Sequence, residues 1–159
     1  MIGTLHWPAA VILAGGQSTR MGREKALLDA CGSTLIERLA VVLAQRFERI
    51  FISVASVGVS PELAAASGCA STIIGRPITF VPDLRAGQGP LAGIEAALEG
   101  IDDPLAFFTA VDMPAVSFDL IGSLWNEVEE AAATGCLPRW SRGLEPACAF
   151  YSKCLLPRV

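Results

Sequence analysis

The stretch Val11–Leu28, VILAGGQSTRMGREKALL, decides how this chain is read. Residues Ala9 to Gly15 form an unbroken apolar run, the pattern of a strand covered on both faces in a parallel sheet. The run stops at Gly15 and Gly16 and gives way to a polar segment carrying Arg20, Arg23 and Lys25. A strand that opens into a flexible, cationic, glycine-bearing loop suits a polyphosphate ligand, because glycine lets the backbone approach closely and the cations neutralise phosphate charge; by composition alone it is equally a surface loop with two solvated cations.

Working outward, strands and helices alternate. Thr34 and Glu37 have capping-box spacing, and Leu35, Leu39, Val42 and Leu43 recur at helical intervals to about Gln45. RIFISVAS (49–56) is the next β-branched run, and Ser60-Pro61 opens a short helix through Leu63, with proline at its first position. ITFVP (78–82) is a third strand. After the loop from Asp83 to Gly89, PLAGIEAALEG (90–100) reads as a helix closed by Gly100. LAFFTAV (105–111) is a fourth strand, and Ser117 caps a helix to about Ala132. Beyond Gly135 the pattern loosens: CLPRW and PACAFY read as a pair of short strands, and SKCLLPRV as the start of a helix. The alternation predicts an α/β, Rossmann-like open three-layer fold with a mostly parallel sheet, whose ligands bind beyond the carboxyl ends of the strands.

Composition narrows the function. The 159 residues, 52% of them hydrophobic, suffice for one well-buried domain spanning 1–159. A net charge of -4 without a Lys/Arg block argues against a nucleic-acid surface. No apolar run approaches the roughly 20 residues needed to cross a bilayer, and the first ten residues lack the features of a signal peptide, so the expectation is a cytoplasmic protein with no membrane partner. The five cysteines, Cys31, Cys69, Cys136, Cys148 and Cys154, are not spaced for zinc or a disulfide framework and read as buried small apolar residues. The single histidine, His6, and its neighbour Trp7 precede the first strand and are expected to pack there or form an N-terminal arm.

Two phosphate-binding motifs fail on spacing. A P-loop needs four residues between its glycines followed by lysine, whereas five separate Gly16 from Gly22 and Arg23 follows. A dinucleotide fingerprint needs an acidic residue ending the second strand, which here ends Ser53-Val54-Ala55-Ser56.

The residues themselves resemble a known signature. LAGGQSTRMGREKALL is similar to the first block of the molybdenum cofactor guanylyltransferases, within the nucleotidyltransferase superfamily. Asp83 with GQGPLAGI resembles their second block, FFTAVDMP their third and GLEPACAFY their fourth, in the same order across residues 9 to 157. The resemblance implies a sheet of the nucleotide-diphospho-sugar transferase type and transfer of GMP from GTP to the terminal phosphate of molybdopterin cofactor, releasing pyrophosphate. It implies that Leu13, Ala14, Gly15 and Gly16 meet guanine and phosphates through their backbone, and that Arg20 and Lys25 hold the triphosphate. Ser53 and Asp83 would lie near the nucleoside, with Gly89, Pro90 and Gly93 at the base pocket. Asp112, directly after a strand, would hold Mg²⁺ with one carboxylate plus phosphate oxygens. Arg20, Lys25 and Asp112 would form the catalytic set.

This sequence departs from the family in three places. Glu24 replaces the usual Asp before the lysine, and Ser53 stands where an Asn often touches the nucleotide. Relatives generally continue for about forty residues beyond the last block, so the chain is expected to lack the usual C-terminal segment, with the apolar surface beneath it exposed or buried in a homo-oligomer. The alternatives are a relative that uses CTP with molybdopterin or a sugar phosphate, and a degenerate nucleotide-binding module without catalysis. Gly15-Gly16, where cytidylyl relatives tend to carry Ala-Gly, favours GTP.

Overall fold

Strand β1, Ala9–Leu13, has all five residues buried and lies second from one side of the parallel core of the sheet. A computed structural model of the chain describes residues 7–15, 24–55, 58–83, 89–113, 116–141 and 143–156. Helix α1 (Leu35–Leu43) starts at the predicted capping box: Glu37 N–H donates to Thr34 Oγ1 at 3.3 Å and Thr34 N–H to Glu37 Oε2 at 2.7 Å. Then come β2 (Ile50–Val54), α2 (Pro61–Ile74), β3 (Ile78–Pro82), α3 (Pro90–Gly100), β4 (Leu105–Ala110) and α4 (Phe118–Ala131). Ser60 and Ser117 cap α2 and α4 through their hydroxyls, as their positions foretold.

The six-stranded sheet has the order β3-β2-β1-β4-β8-β5, where β5 is Gly135–Cys136 and β8 is Cys148–Ser152. The first four strands are parallel; β8 runs antiparallel to β4 and β5 antiparallel to β8. Alternation along the strands feeds two cores. Ala10, Ile12, Ile52, Phe107 and Phe150 face α1, α2 and α4, whereas Val11, Leu13, Ala106 and Phe108 face α3, giving three layers. Trp7 stacks on Trp125 and meets Phe47 edge-on, so it packs as expected of it; His6 lies outside the described residues.

Four local expectations need correction. The helix opened by Ser60-Pro61 is not short: it runs 14 residues, burying Leu63, Ala66, Ser67 and Ala70, small residues that make too faint a stripe to read. CLPRW and PACAFY hold three short strands, not two: CLPRW supplies Cys136 of β5 as well as β6 (Arg139–Trp140), which pairs with β7 (Gly143–Leu144) in a separate hairpin, while β5 and β8 pair in the main sheet. Lys153–Leu155 forms one 3-10 turn. Finally, Cys31, Cys69 and Cys154 are exposed and Cys136 half-buried, leaving only Cys148 in the core. No helix among the described residues is long and apolar enough to cross a membrane.

Candidate functional site

The chain builds outward from β1 to β2 and β3 on one side, then crosses to β4 on the other, so the strand order reverses between β1 and β4. Loops leaving two such strands diverge and open a crevice at their carboxyl ends. Backbone hydrogen bonds beyond the strand ends draw the loops together there. Val111 N–H donates to Leu13 O at 3.1 Å, Ala14 N–H to Ser53 O at 2.9 Å and Asp83 N–H to Val54 O at 2.8 Å.

Asp112 occupies the turn that ends β4, closed by Met113 N–H donating to Ala110 O at 3.0 Å. Lys25 begins a 3-10 turn after the loop that follows β1, and the neighbouring Ala26, 2% exposed, anchors that turn in the core. The two side chains meet across the crevice, Lys25 Nζ lying 2.7 Å from Asp112 Oδ2, each about half exposed. An ion pair this accessible contributes at most about 1 kcal/mol to folding. Stability therefore does not account for placing it here. Glu24, one residue earlier, accepts a 2.9 Å hydrogen bond from Ser60 Oγ and so ties the turn to the start of α2.

A second group gathers at the ends of β2 and β3. Ser53 is 1% exposed, and its hydroxyl donates to Asp83 Oδ1 at 2.8 Å. Gly15 and Gly93 back onto the same carboxylate. A Cβ on Gly15 would stand 3.0 Å from Asp83 Oδ2, and one on Gly93 would stand 3.2 Å from Asp83 Oδ1 and collide with Ser53 Oγ. Gly93 thus demands glycine for space, whereas a methyl group at Gly15 would require the Asp83 carboxylate to shift slightly. Gly89, with φ 71, starts α3 in the left-handed region, and Pro90 follows as its first residue. Burial pushes the Asp83 carboxyl above its usual value, with the Ser53 hydrogen bond partly opposing the shift.

Of the residues singled out from sequence, Leu13, Ala14, Gly15, Lys25, Ser53, Asp83, Gly89, Pro90, Gly93 and Asp112 all fall at this edge of the sheet. Gly16 and Arg20 lie outside the described residues. The Ser53–Asp83 bond and the Glu24–Ser60 bond had no local signal, since each joins residues 30 or more apart. Among the described residues no three His, Cys, Asp or Glu side chains cluster as metal ligands. Asp112 and Asp83 are carboxylates at this edge, the first paired with Lys25 and the second with Ser53. Cys148 is no candidate nucleophile, because burial, with Glu145 adding to it, pushes its thiol up to about 11. An apolar groove of about 400 Å³ between α3 and β8, lined by Leu91, Ile94, Leu98, Tyr151 and Leu155, contains none of these residues.

Known proteins resemble this chain in sequence and in fold. Residues 10–159 match the family model described as the MobA-like NTP transferase domain. A "Probable molybdenum cofactor guanylyltransferase" of Pelotomaculum thermopropionicum is 37% identical over 90% of this chain and 62% of its own length. The "Molybdenum cofactor guanylyltransferase" of Syntrophotalea carbinolica is 32% identical over 98% of this chain and 68% of its own. The chain therefore spans about two thirds of the length of these relatives. The crystal structure of molybdopterin-guanine dinucleotide biosynthesis protein A from Archaeoglobus fulgidus superposes with a TM-score of 0.67 at 28% identity, covering 92% of this chain and 68% of that one. The sheet is thus of the nucleotide-diphospho-sugar transferase type. With the family model covering nearly all of its length, this chain belongs to the MobA-like NTP transferase family.

Proposed function

We propose that this chain transfers GMP from GTP to the terminal phosphate of molybdopterin cofactor, releasing pyrophosphate. The observation that carries the reading is the Lys25–Asp112 pair, a cation and a carboxylate set 2.7 Å apart where the strand order reverses. The relatives' names supply the substrates.

In this reading the backbone of Leu13, Ala14, Gly15 and Gly16 runs along the nucleotide. Ser53, Asp83, Gly89, Pro90 and Gly93 hold its nucleoside end, and Arg20 and Lys25 its triphosphate. Lys25 exchanges Asp112 for phosphate oxygens when GTP enters, which frees the carboxylate. Asp112 would then be the residue to hold Mg²⁺, which would supply positive charge opposite the departing pyrophosphate. An acceptor phosphate oxygen bonds to the α-phosphorus while the bond to the α,β-bridging oxygen breaks. A phosphate monoester with a second pKa of about 6 is already dianionic at neutral pH, so no general base is required. Positioning and charge neutralisation carry the reaction, and Lys25 and Arg20 supply fixed positive charge for it.

The test is thermal unfolding with GTP, CTP, ATP and UTP, each with and without Mg²⁺. At about a hundred times the dissociation constant a bound nucleotide adds about 2.7 kcal/mol, which for a domain of this size raises Tm by roughly 5–10 °C. GTP with Mg²⁺ gives the largest rise. A larger rise with CTP would transfer the assignment to a cytidylyl enzyme, and equal rises would remove the base preference.

A further inference from the structure

The hairpin β6–β7 belongs to neither core. Its four strand residues are all exposed, it forms a two-stranded sheet of its own, and it carries Trp140, whose side chain is 55% exposed. Trp7 and Trp125, by contrast, stack on each other against the core. The two core tryptophans owe their place to packing, whereas more than half of Trp140 faces water and is available to a ligand.

Topology says where the hairpin stands. β8 is antiparallel to β4, with Cys148 opposite Thr109, and Ala110 N–H donates to Ala147 O at 2.8 Å. The residues leading into β8 therefore lie beside the turn that holds Asp112. The hairpin springs from them, its base closed by Glu145 N–H donating to Pro138 O at 3.0 Å. Ser53, Asp83 and Gly93 lie on the β2 and β3 side of the Lys25–Asp112 pair, and the hairpin rises on the β8 side. A nucleotide with its base at Asp83 and its phosphates at Lys25 leaves the β8 side open to whatever attacks the α-phosphorus.

We propose that Trp140 is the platform on which the planar pyrimidine end of the acceptor's pterin ring system stacks. The inference rests on the function proposed above and names a binding residue for its second substrate. Trp140 pairs across the hairpin with Gly143, which has no side chain, and the space a Cβ would occupy there has no atom within 4 Å. The indole is thus uncrowded by its cross-strand neighbour, so a flat heterocycle can lie against it. Stacking on an indole tolerates variation in the ring's edge groups, which suits an acceptor positioned by its phosphate at one end and its ring at the other.

The experiment compares wild type, Trp140→Ala and Trp140→Phe in three measurements on the same preparations: GTP affinity, steady-state transfer with varied molybdopterin, and quenching of indole emission by a soluble pterin monophosphate. Trp140→Ala raises the acceptor KM on the order of tenfold with GTP affinity and kcat little changed, and Trp140→Phe restores most of the loss. Pterin monophosphate quenches the wild type and leaves Trp140→Phe, which keeps both core tryptophans, unquenched. An unchanged acceptor KM in Trp140→Ala, in a wild type that does transfer GMP, overturns the platform and leaves the activity standing. An equal loss of GTP affinity overturns it too, by assigning the hairpin to the nucleotide. A wild type that binds no guanine nucleotide and transfers nothing overturns the function itself, and this inference with it.

Discussion

Replacing Gly93 by alanine tests the packing at the proposed nucleoside end of the site. In an ordinary helix interior the change stabilises by about 1 kcal/mol. Here the new methyl group would meet Ser53 Oγ, lie 3.2 Å from Asp83 Oδ1 and 3.3 Å from Leu13 Cδ2. Ser53 is buried and cannot yield toward solvent, so it must rotate and surrender its bond to Asp83, a loss of about 1 kcal/mol. Overpacking against Leu13 and the carboxylate adds about 1–3 kcal/mol. The net effect is a destabilisation of about 1–3 kcal/mol, or roughly 3–10 °C in Tm for a chain of this length. GTP affinity falls in parallel, on the order of tenfold, because Asp83 loses the hydroxyl that orients it. Gly122 in α4 provides the control, since a Cβ there meets nothing within 4 Å; Gly122→Ala stabilises by about 0.4–1 kcal/mol. Urea unfolding of both variants, followed by nucleotide titration, gives the answer. A Gly93→Ala protein as stable as wild type, with the same GTP affinity, would refute the packing argument.

Two further outcomes follow from the same geometry. Lys25→Ala lowers GTP affinity on the order of 10- to 100-fold while leaving guanosine binding within about twofold, because an ammonium group can act only on phosphate charge; calorimetric titration with both ligands checks this, and equal losses would contradict it. Burial raises the Asp83 carboxyl above 3.8, so the folded chain binds that proton more readily than the unfolded one, and the stability this lends below 3.8 is lost as pH rises through the raised value. Asp83→Asn therefore gains stability relative to wild type as pH rises from below 3.8 through the raised value, and a relative loss over that rise would show the carboxylate to be favourably held.

How far the sequence could be read depended on whether each signal was local. Val11–Leu28 marked β1, and Thr34, Ser60 and Ser117 marked three helix starts, because a cap and its partner lie three residues apart. Asp112 could be singled out because it directly follows the β4 run. The length of α2 was hidden, since its buried face is built mainly of alanine and serine, which carry little hydrophobic contrast. The Ser53–Asp83 contact needs β2 beside β3, with Ser53 opposite Val81 and Val54 opposite Pro82, and no spacing rule encodes that register. The split of the last segment into β5, the β6–β7 hairpin and β8 was unreadable for a related reason: strands of two residues have no period to detect. The exposed Cys31, Cys69 and Cys154 show a residue-type tendency yielding to position, in a turn, on the outer face of a helix and at a strand's end.

In the proposed function the Lys25–Asp112 pair marks the point where GTP is cleaved between its α- and β-phosphates. The direct measurement is a transfer assay with GTP labelled at the α-phosphate, Mg²⁺ and molybdopterin cofactor, scoring labelled acceptor against released pyrophosphate for wild type and Asp112→Asn. Both side chains of the pair are about half exposed, so the substitution leaves the unfolding midpoint nearly unchanged and any loss of rate reports on chemistry. The wild type yields labelled acceptor and pyrophosphate in equal amounts, and Asp112→Asn turns over at a rate lower by a factor on the order of 10²–10³. Transfer at the wild-type rate by Asp112→Asn would contradict the proposal.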